Sequence, residues 1–409
     1  RVVTVAYPNG ITCRAFVGVF GEAAMQPTPS RFRFHVPALP HVVTNTRYLT
    51  CAYTQKVRKL CGMLLDLGHE VYHYGCEGAE VRCTEDVEVV SNAYRRAFYA
   101  GNDDDPAGQL QFDVKDEYHQ RYYARCIAAI EQRLQPSDFL LSMWGLGHKP
   151  IADALKGRVL TVEPGVGYRD TFADFRVFES YWHMARVYGA SDGGAGTADG
   201  HNYDAVIPNF FDPAEFEFRE TKGDYLLYLG RIVRRKGVLV AVKVAEELGM
   251  RLVMAGRGKL IDPTEGLNIA SPLVEHIGCV GIEERRELLA GAQALLAPTD
   301  YLEPFGGVVI EAAMSGTPAI TTDWGAFAEI VLHGQTGWRC RTLGQFLWAV
   351  KHAGDIRPQA CRDWAMRNFS CERVARMYQE YFEMIYGQSG APAWSDPQPE
   401  RADLAWLTK

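Results

Sequence analysis

Short apolar segments alternate with amphipathic segments along most of this chain, and this alternation constrains the fold more than any other feature of the sequence. In the first block, RFHVPALP is followed by CAYTQKVRKLCGMLLDLG and then by HEVYHYG. Val57, Leu60, Met63 and Leu67 recur at steps of three or four residues, which predicts a helix, and Gly68 stands where a helix terminates. Strand, helix and strand in succession predict a parallel sheet covered by helices on both faces.

The same alternation restarts after Gly223 and predicts a second doubly wound parallel sheet. Its segments are, in order, DYLLYLG, GVLVAVKVAEELG, RLVMAG, EHIGCVG, IEERRELLAGA, QALLAPT, GGVVIEAAMSG and TPAITTD. A length of 409 residues also fits two domains with a cleft between them. We therefore expect a first domain at 1–205, a second at 206–372, and an amphipathic C-terminal segment with a tail at 373–409.

The segment between the two blocks is predicted to lead from one domain to the other. FRVFESYWHMARVYG is predicted as a single aromatic-rich helix, and DAVIPNFFD as the strand that follows it. The Gly-rich stretch SDGGAGTADG lies between them and is predicted to be a loop beside the cleft.

Composition excludes several classes of protein. The net charge of -7 disfavours a large nucleic-acid-binding face, because such faces concentrate Lys and Arg. No apolar run reaches the roughly 18 residues that a membrane span needs. The ten cysteines are scattered without a CxxC pair, so reduced thiols are expected. The opening RVVTVAYPNG lacks the pattern of a secretory signal, and a cytoplasmic location is expected.

Two further motifs are interpreted as loops. DDDP, at 103–106, has the Asp-x-Asp spacing of a manganese site, but its surroundings GNDDDPAGQ have the composition of a turn, so no metal site is predicted. GGAGTADG follows no strand and has its third glycine misplaced for a dinucleotide fingerprint, so no nicotinamide site is predicted.

Two motifs of the second block have the composition of a phosphate site. YLGRIVRRKG places Arg231 directly after a predicted strand and Lys236 just before a predicted helix. EPFGGVVIEA places Gly306 and Gly307 at the start of another helix, where the N–H groups and the dipole attract anions. Both motifs follow strands of a parallel sheet, whose carboxyl ends are where such sheets bind ligands.

Two carboxylates, Glu303 and Glu311, flank the glycine pair and would repel a phosphate. They must therefore face another part of the same ligand, and carboxylates accept hydrogen bonds from hydroxyls well. A ligand with hydroxyls on both sides of a diphosphate is a nucleotide-sugar. The simpler alternative is an acid that complements the helix dipole together with an exposed helical Glu. A hydrolytic acid/base pair is disfavoured, because such carboxylates usually come from separate elements.

At these motifs the sequence resembles the retaining glycosyltransferases of family 4. The matching segments are VIPNFFD, YLGRIVRRKG, RLVMAGRG, Glu303 and Glu311 in an E-x7-E spacing, AMSGTPAITTDWGAFAEIV and GQTGW. The resemblance is strong from about Val206 to Trp338 and concerns only topology before that. It implies the GT-B architecture, in which two Rossmann-like domains face each other across a cleft and a C-terminal helix crosses back to the first domain.

The resemblance also implies roles for individual residues. Arg231 and Lys236 would bind the donor diphosphate, Glu303 the transferred sugar and Glu311 the ribose. The peptide groups that would cap the distal phosphate are those of Phe305, Gly306, Gly307 and Val308. The implied reaction moves a hexose from a UDP- or GDP-sugar to a hydroxyl of a glycan, lipid or small molecule, with retention and without a metal or other cofactor.

The first domain departs from the family pattern. Its first loop, HVVTNTRY, has no glycine, and its fourth strand ends in SMWGLGHK. His148, or alternatively His41, is the candidate for contacting the sugar near the reacting carbon. Glu163 and Tyr168, in VEPGVGYRD, are the candidates for acceptor binding.

Three rival functions remain at this point. A GT-B nucleotide-sugar epimerase would need no acceptor, and a non-catalytic nucleotide-sugar-binding module would bind without turnover. A DNA-base glycosyltransferase would need a basic first domain; the acidic balance disfavours it. The residues that leave the DNA-base glycosyltransferase as an alternative are the arginines Arg95, Arg96, Arg121 and Arg125.

Overall fold

The structure is a computed structural model, and it describes residues 2–6, 12–16, 31–47, 51–99, 113–191, 200–201 and 203–388. The DDDP turn, most of the Gly-rich stretch before Gly200 and the C-terminal tail lie outside these described residues. The first two strands, β1 (Val2–Ala6) and β2 (Thr12–Phe16), pair with each other in an antiparallel hairpin.

The first domain is built on a seven-stranded sheet in which every pair is parallel, with strand order β5-β4-β3-β6-β7-β8-β9. Its strands are β3 (Arg33–Pro37), β4 (Glu70–Cys76), β5 (Glu85–Val90), β6 (Phe139–Leu141), β7 (Leu160–Val166), β8 (Phe175–Phe178) and β9 (Ala205–Val206). Its helices are α1 (Ala52–Asp66), α2 (Asn92–Phe98), α3 (Glu117–Glu131), α4 (Lys149–Ala154) and α5 (Tyr181–Ser191).

The second domain repeats this design with six parallel strands in the order β14-β11-β10-β15-β16-β17. Its sheet strands are β10 (Tyr225–Leu229), β11 (Arg251–Ala255), β14 (Val274–Gly278), β15 (Ala294–Ala297), β16 (Ala319–Thr322) and β17 (Gly337–Cys340), and β12 (Ile261–Asp262) pairs only with β13 (Leu267–Asn268). Its helices are α6 (Val238–Leu248), α7 (Ile282–Gly291), α8 (Gly307–Met314), α9 (Phe327–Ile330), α10 (Leu343–Lys351) and α11 (Pro358–Phe369).

The predicted fold class is confirmed, with corrections between the two blocks. The segment predicted as one aromatic helix is strand β8 followed by helix α5, because FRVF is buried in the sheet before the chain turns at Ser180. Of the predicted strand DAVIPNFFD, only β9 pairs, and it pairs with β8. Val206 thus lies in the first sheet, one residue beyond the expected domain limit.

The C-terminal helix α12 (Cys371–Gln388) leaves the second domain and packs on the first. Its Phe382 is fully buried, with ring centroids 4.7 Å from Phe34 of β3 and 5.1 Å from Phe139 of β6. The Tyr381 hydroxyl donates to the carbonyl of Tyr203 at 2.8 Å. The crossing helix expected from the resemblance is therefore present and joins the two domains through an aromatic contact.

The two chain crossings between the domains pair with each other. The amide of Phe211 donates to the carbonyl of Phe369, and the amide of Cys371 donates to the carbonyl of Phe211, both at 2.9 Å. Because the two connections between the domains are hydrogen-bonded to each other at Phe211, any relative motion of the domains must change the backbone conformation near this residue.

We expect Phe382→Ala to lower the free energy of unfolding by about 3 to 5 kcal/mol, because it leaves a cavity between α12 and the first sheet. Urea denaturation followed by intrinsic fluorescence measures this change. Phe98→Ala, at an aromatic residue that is 43% exposed, is the matched control and should cost under about 1 kcal/mol. Equal losses in the two variants would contradict the packing described for α12.

Candidate functional site

The loop after β10 carries the two predicted cations. Arg231 is exposed directly beyond the strand, and its carbonyl accepts a hydrogen bond from the Tyr228 hydroxyl at 2.8 Å. Lys236 ends a short 3-10 turn just before α6. Gly237 follows with φ 75°, and a Cβ there would lie 1.8 Å from the carbonyl oxygen of Pro298. Glycine thus allows this loop to pass against the end of β15.

The loop after β15 brings Glu303 to this lysine. Lys236 Nζ forms an ion pair with Glu303 Oε1, although 67 positions separate them in sequence. The Lys236 ammonium also lies 4.8 Å from the centroid of the Tyr301 ring, and the Arg235 guanidinium lies 5.3 Å from it. Glu303 is only 7% exposed. A carboxylate, an ammonium and an aromatic face therefore meet at the carboxyl edge of the second sheet.

Two phenols flank the Glu303 carboxylate, and neither was identified from the sequence. Burial, followed by the charge of Glu303, raises the pKa of Tyr301, and its hydroxyl hydrogen-bonds to that carboxylate. Burial and the same charge raise the pKa of Tyr228. Both phenols therefore remain protonated. Tyr301 lies two residues before Glu303, and this proximity was the only sequence feature that could have identified it. Proximity in sequence does not distinguish a tyrosine of the site from a tyrosine of the core.

Helix α8 begins at the predicted glycine pair. Gly306 is its N-cap with φ 83°, and a Cβ there would lie 2.3 Å from the Phe327 ring. The side chain of Phe305 is buried and lies near Phe211 and Phe369, with ring centroids 6.4 Å and 5.9 Å away. Phe305 can therefore offer a ligand only its peptide group. The first amides of a helix lack partners within the helix, so this end suits an anion.

The second predicted acid, Glu311, also has a cationic partner. Its Oε2 forms an ion pair with a guanidinium nitrogen of Arg285, which lies on helix α7. Arg285 was missed because IEERRELLAGA contains two adjacent arginines, and nothing in the sequence shows which of them faces α8. The structure thus gives each acid of the E-x7-E spacing a basic partner from another element.

In the first domain, His148 is fully buried. Its Nε2 lies 3.1 Å from the carbonyl of Ala38, which can only accept, so Nε2 carries the proton. Its Nδ1 has no hydrogen-bond partner among the described residues. Burial lowers the pKa of His148 to about 4. The imidazole is therefore a neutral support for the end of β3, and this arrangement does not present it to a ligand. The alternative, His41, is buried as well.

The predicted acceptor residues Glu163 and Tyr168 bind each other. Glu163 is fully buried on β7, and its Oε1 accepts from the Tyr168 hydroxyl at 3.0 Å. Its Oε2 accepts from the amides of Phe172 and Ala173 at 2.8 and 2.9 Å. Burial raises the pKa of Glu163 despite these donors. The pair thus stabilises the loop after β7. Both carboxylate oxygens of Glu163 accept hydrogen bonds from within the protein.

The described residues contain no metal cluster, disulfide or membrane-spanning helix. Within them, no three His, Cys, Asp or Glu side chains are arranged to hold a metal ion. The cysteines of the same ranges form no disulfide. None of the helices that the structure describes has the length and apolar character needed to cross a bilayer.

A family model matches a continuous part of the second half of the chain. Residues 212–342 match the family model described as glycosyl transferases group 1, a range that includes Arg231, Lys236, Glu303 and Glu311. Glycogen synthase of Mycobacterium tuberculosis is 33% identical over 191 residues, which cover 42% of this chain and 46% of that protein. The match thus spans less than half of the relative's own length. The resemblance to group 1 glycosyltransferases is confirmed for this part of the chain.

Solved structures match nearly the whole chain. A glycosyltransferase involved in avilamycin A biosynthesis superposes with a TM-score of 0.59 at 24% identity, covering 88% of this chain and 99% of that one. The Anabaena protein HepE in complex with UDP-glucose superposes with the same TM-score at 11% identity, covering 86% and 99%. At these identities the similarity concerns the fold, which is the predicted GT-B architecture.

We expect Gly306→Ala to lower the stability of the second domain by about 1 to 3 kcal/mol, because the added methyl group combines a left-handed φ with a clash against Phe327. Thermal unfolding by calorimetry measures this loss. Gly354→Ala is the control, since a Cβ at Gly354 meets no atom within 4 Å and its φ is not positive. A Gly306→Ala protein as stable as this control would show that the cap is not constrained as described.

Stability should also fall as the pH drops from about 6.5 towards 4, in part because of His148. Its folded pKa, about 4, lies below the 6.5 of an unfolded histidine, so the unfolded chain binds the proton first and is favoured by acid. We expect His148→Leu to be less stable at pH 7 but to lose less stability on acidification. Urea denaturation at several pH values measures both slopes, and equal slopes would exclude a neutral buried imidazole at this position.

Proposed function

We propose that this protein is a retaining glycosyltransferase that transfers a hexose from a UDP- or GDP-sugar to a hydroxyl acceptor. The observation that carries the proposal is the pairing of Lys236 with Glu303 beside the N-terminus of α8. This pairing places a cation, an acid and helix amides at one edge of a parallel sheet. These three groups are complementary to a nucleotide-sugar, which carries two phosphates between two sets of hydroxyls.

The diphosphate would be bound by positive groups of the second domain. Arg231 is exposed and can reach a ligand, and Lys236 can share its ammonium between Glu303 and a phosphate oxygen. The peptide groups from Phe305 to Val308 would cap the distal phosphate at the start of α8. Negative charge grows on the diphosphate as the sugar bond breaks, and these groups are already oriented to stabilise it.

The two acids would bind the hydroxyls at either end of the donor. Glu303 would accept from hydroxyls of the transferred sugar, with its orientation set by Lys236 and Tyr301. Glu311 would accept from the ribose hydroxyls, and its ion pair with Arg285 would hold its side chain in place. Because each carboxylate is paired with a cation, neither presents a free negative charge to the neighbouring phosphates.

The reaction would proceed with retention at the anomeric carbon. In this proposal the leaving diphosphate is stabilised by Arg231, Lys236 and the helix amides, so neither a protein nucleophile nor a metal is required. Closure of the cleft would exclude water from the reacting sugar. The acceptor, a hydroxyl of a glycan, lipid or small molecule, would be held by the first domain. The UDP-glucose complex of HepE makes UDP-glucose the first donor to test.

We expect Lys236→Ala and Glu303→Ala each to lower turnover by about 100-fold or more, because each removes a charged contact made at the reacting end of the donor. Initial rates of sugar transfer and of donor hydrolysis, with UDP-, GDP-, TDP- and ADP-sugars, provide the measurement. Lys243→Ala and Glu247→Ala are matched controls, since these residues form an exposed ion pair on α6 with N···O 2.8 Å. The controls should retain normal rates.

Several results would refute parts of this proposal. Full activity in Lys236→Ala or Glu303→Ala would remove that residue from the site. Conversion of the donor to an epimer without acceptor would identify an epimerase. Nucleotide-sugar binding without transfer or hydrolysis, across the donor and acceptor panel, would identify a binding module.

A further inference from the structure

The two domains touch beside the candidate donor site, at the N-terminus of α5. We propose that Glu329 and Ser180 are positioning residues that set the backbone of Glu303 when the domains are closed. This inference rests on the proposed donor role of Glu303. It assigns a task to two residues that lie on opposite sides of the cleft and outside the donor-binding groups described above.

Glu329, on helix α9 of the second domain, caps a helix of the first domain. Its Oε2 accepts from the amide of Tyr181 at 3.0 Å, and its Oε1 accepts from the amide of Trp182 at 2.6 Å. These amides form the first turn of α5, where the helix dipole favours a negative charge. A single carboxylate thus satisfies two helix amides across the domain interface.

The burial of Glu329 makes this contact depend on both domains. Glu329 lies largely out of solvent, and burial raises its pKa, while the two amides act in the opposite direction. A buried carboxylate is costly unless it is hydrogen-bonded. In the closed arrangement the amides of α5 compensate that cost. If the domains separate, both the carboxylate and the helix end must be solvated by water instead.

Ser180 makes a second contact, and this contact reaches the donor loop itself. Its hydroxyl donates to the carbonyl of Pro304 at 2.6 Å, and it also accepts from the amide of His183 at 3.0 Å. Pro304 directly follows Glu303 in the chain. The first domain therefore holds the peptide next to the acid that is proposed to bind the transferred sugar.

The other side of the Glu303 backbone is held by the segment that leads into α9. The amide of Ala326 donates to the carbonyl of Glu303 at 3.1 Å. Gly325 has φ 60°, and a Cβ there would lie 3.0 Å from the Glu303 amide nitrogen and 3.1 Å from its carbonyl oxygen. The donor acid is thus supported by the start of the same short segment that ends in Glu329, so one movement of α9 would displace both.

Ser180 is itself anchored within the first domain. The preceding residue, Glu179, is almost fully buried and forms an ion pair with Lys56 of α1. Lys56 also lies 3.4 Å from the carbonyl of Gly165 on β7. A continuous series of contacts therefore links the first-domain core to the Glu303–Lys236 pair. Closure would fix the sugar-binding acid, and opening would release it.

The test compares Glu329→Gln and Ser180→Ala with the wild-type protein. The glutamine keeps the size of the side chain but removes its charge and one of its two acceptors. Glu247→Gln, in an exposed pair on α6, and Thr342→Ala, at the exposed cap of α10, are matched controls. The measurements are kcat and KM for donor hydrolysis and transfer, binding of UDP and GDP by calorimetry, and small-angle X-ray scattering with and without each nucleotide.

We expect kcat to fall about ten-fold or more in Glu329→Gln and Ser180→Ala, while the nucleotide Kd changes less than about two-fold, because neither side chain contacts the nucleotide. The double variant should lose little more than the worse single one, since both contacts belong to one domain interface and support the same backbone segment. In scattering, Glu329→Gln should have the larger radius of gyration. The two controls should match the wild type in all measurements.

Unchanged kcat in both variants would overturn the proposal. Equal losses of kcat and of nucleotide affinity would also overturn it, since they indicate a purely structural role. If the wild type neither transfers nor hydrolyses any donor sugar, the proposed function fails. The scattering measurement still tests whether Glu329 holds the two domains together. A radius of gyration that is identical in Glu329→Gln and wild type, with and without nucleotide, would show that this carboxylate does not hold the domains together.

Discussion

The ion pair between Lys236 and Glu303 is the interaction on which the candidate site depends. The N-terminus of a helix attracts a carboxylate as well as a phosphate, so a nearby acid competes with a phosphate for the helix amides unless another group binds the acid. The ammonium of Lys236 pairs with the carboxylate, the phenol of Tyr301 hydrogen-bonds to it, and the phenol of Tyr228 lies near enough to sense its charge. Glu311 has a similar arrangement with Arg285. In both acids the negative charge is therefore compensated by a cation from another element.

Two parallel sheets make this arrangement possible because they collect loops from distant parts of the chain at one edge. The loops after β10 and β15 follow neighbouring strands of the sheet, although their charged residues are 67 positions apart in sequence. The first domain contributes Ser180 to the same region through its own strand ends. The crossing helix and the paired connections near Phe211 then determine how the two edges face each other.

The elements of the second domain, and the places of its candidate residues at their ends, were predictable because those signals are local. Arg231, Lys236, Gly306 and Gly307 occupy the ends of a strand and the starts of helices, and neighbours in sequence define those places. The left-handed φ of Gly306 is also a local property that favours glycine at this position. The first domain was predictable only in outline. His148 and Glu163 follow strands, as ligand-binding residues do, but packing turned them towards Ala38 and Tyr168.

The sequence by itself determined the alternation of elements, the two doubly wound sheets and the residues at the carboxyl edge of the second, because periodicity and turn chemistry act over a few positions. Only the tertiary structure decided which charges pair. Arg285 rather than its neighbour meets Glu311, and Glu329 reaches a helix of the other domain, because such contacts depend on the relative placement of whole elements. It also decided that FRVF is a strand, since burial in a sheet outweighs a helical pattern.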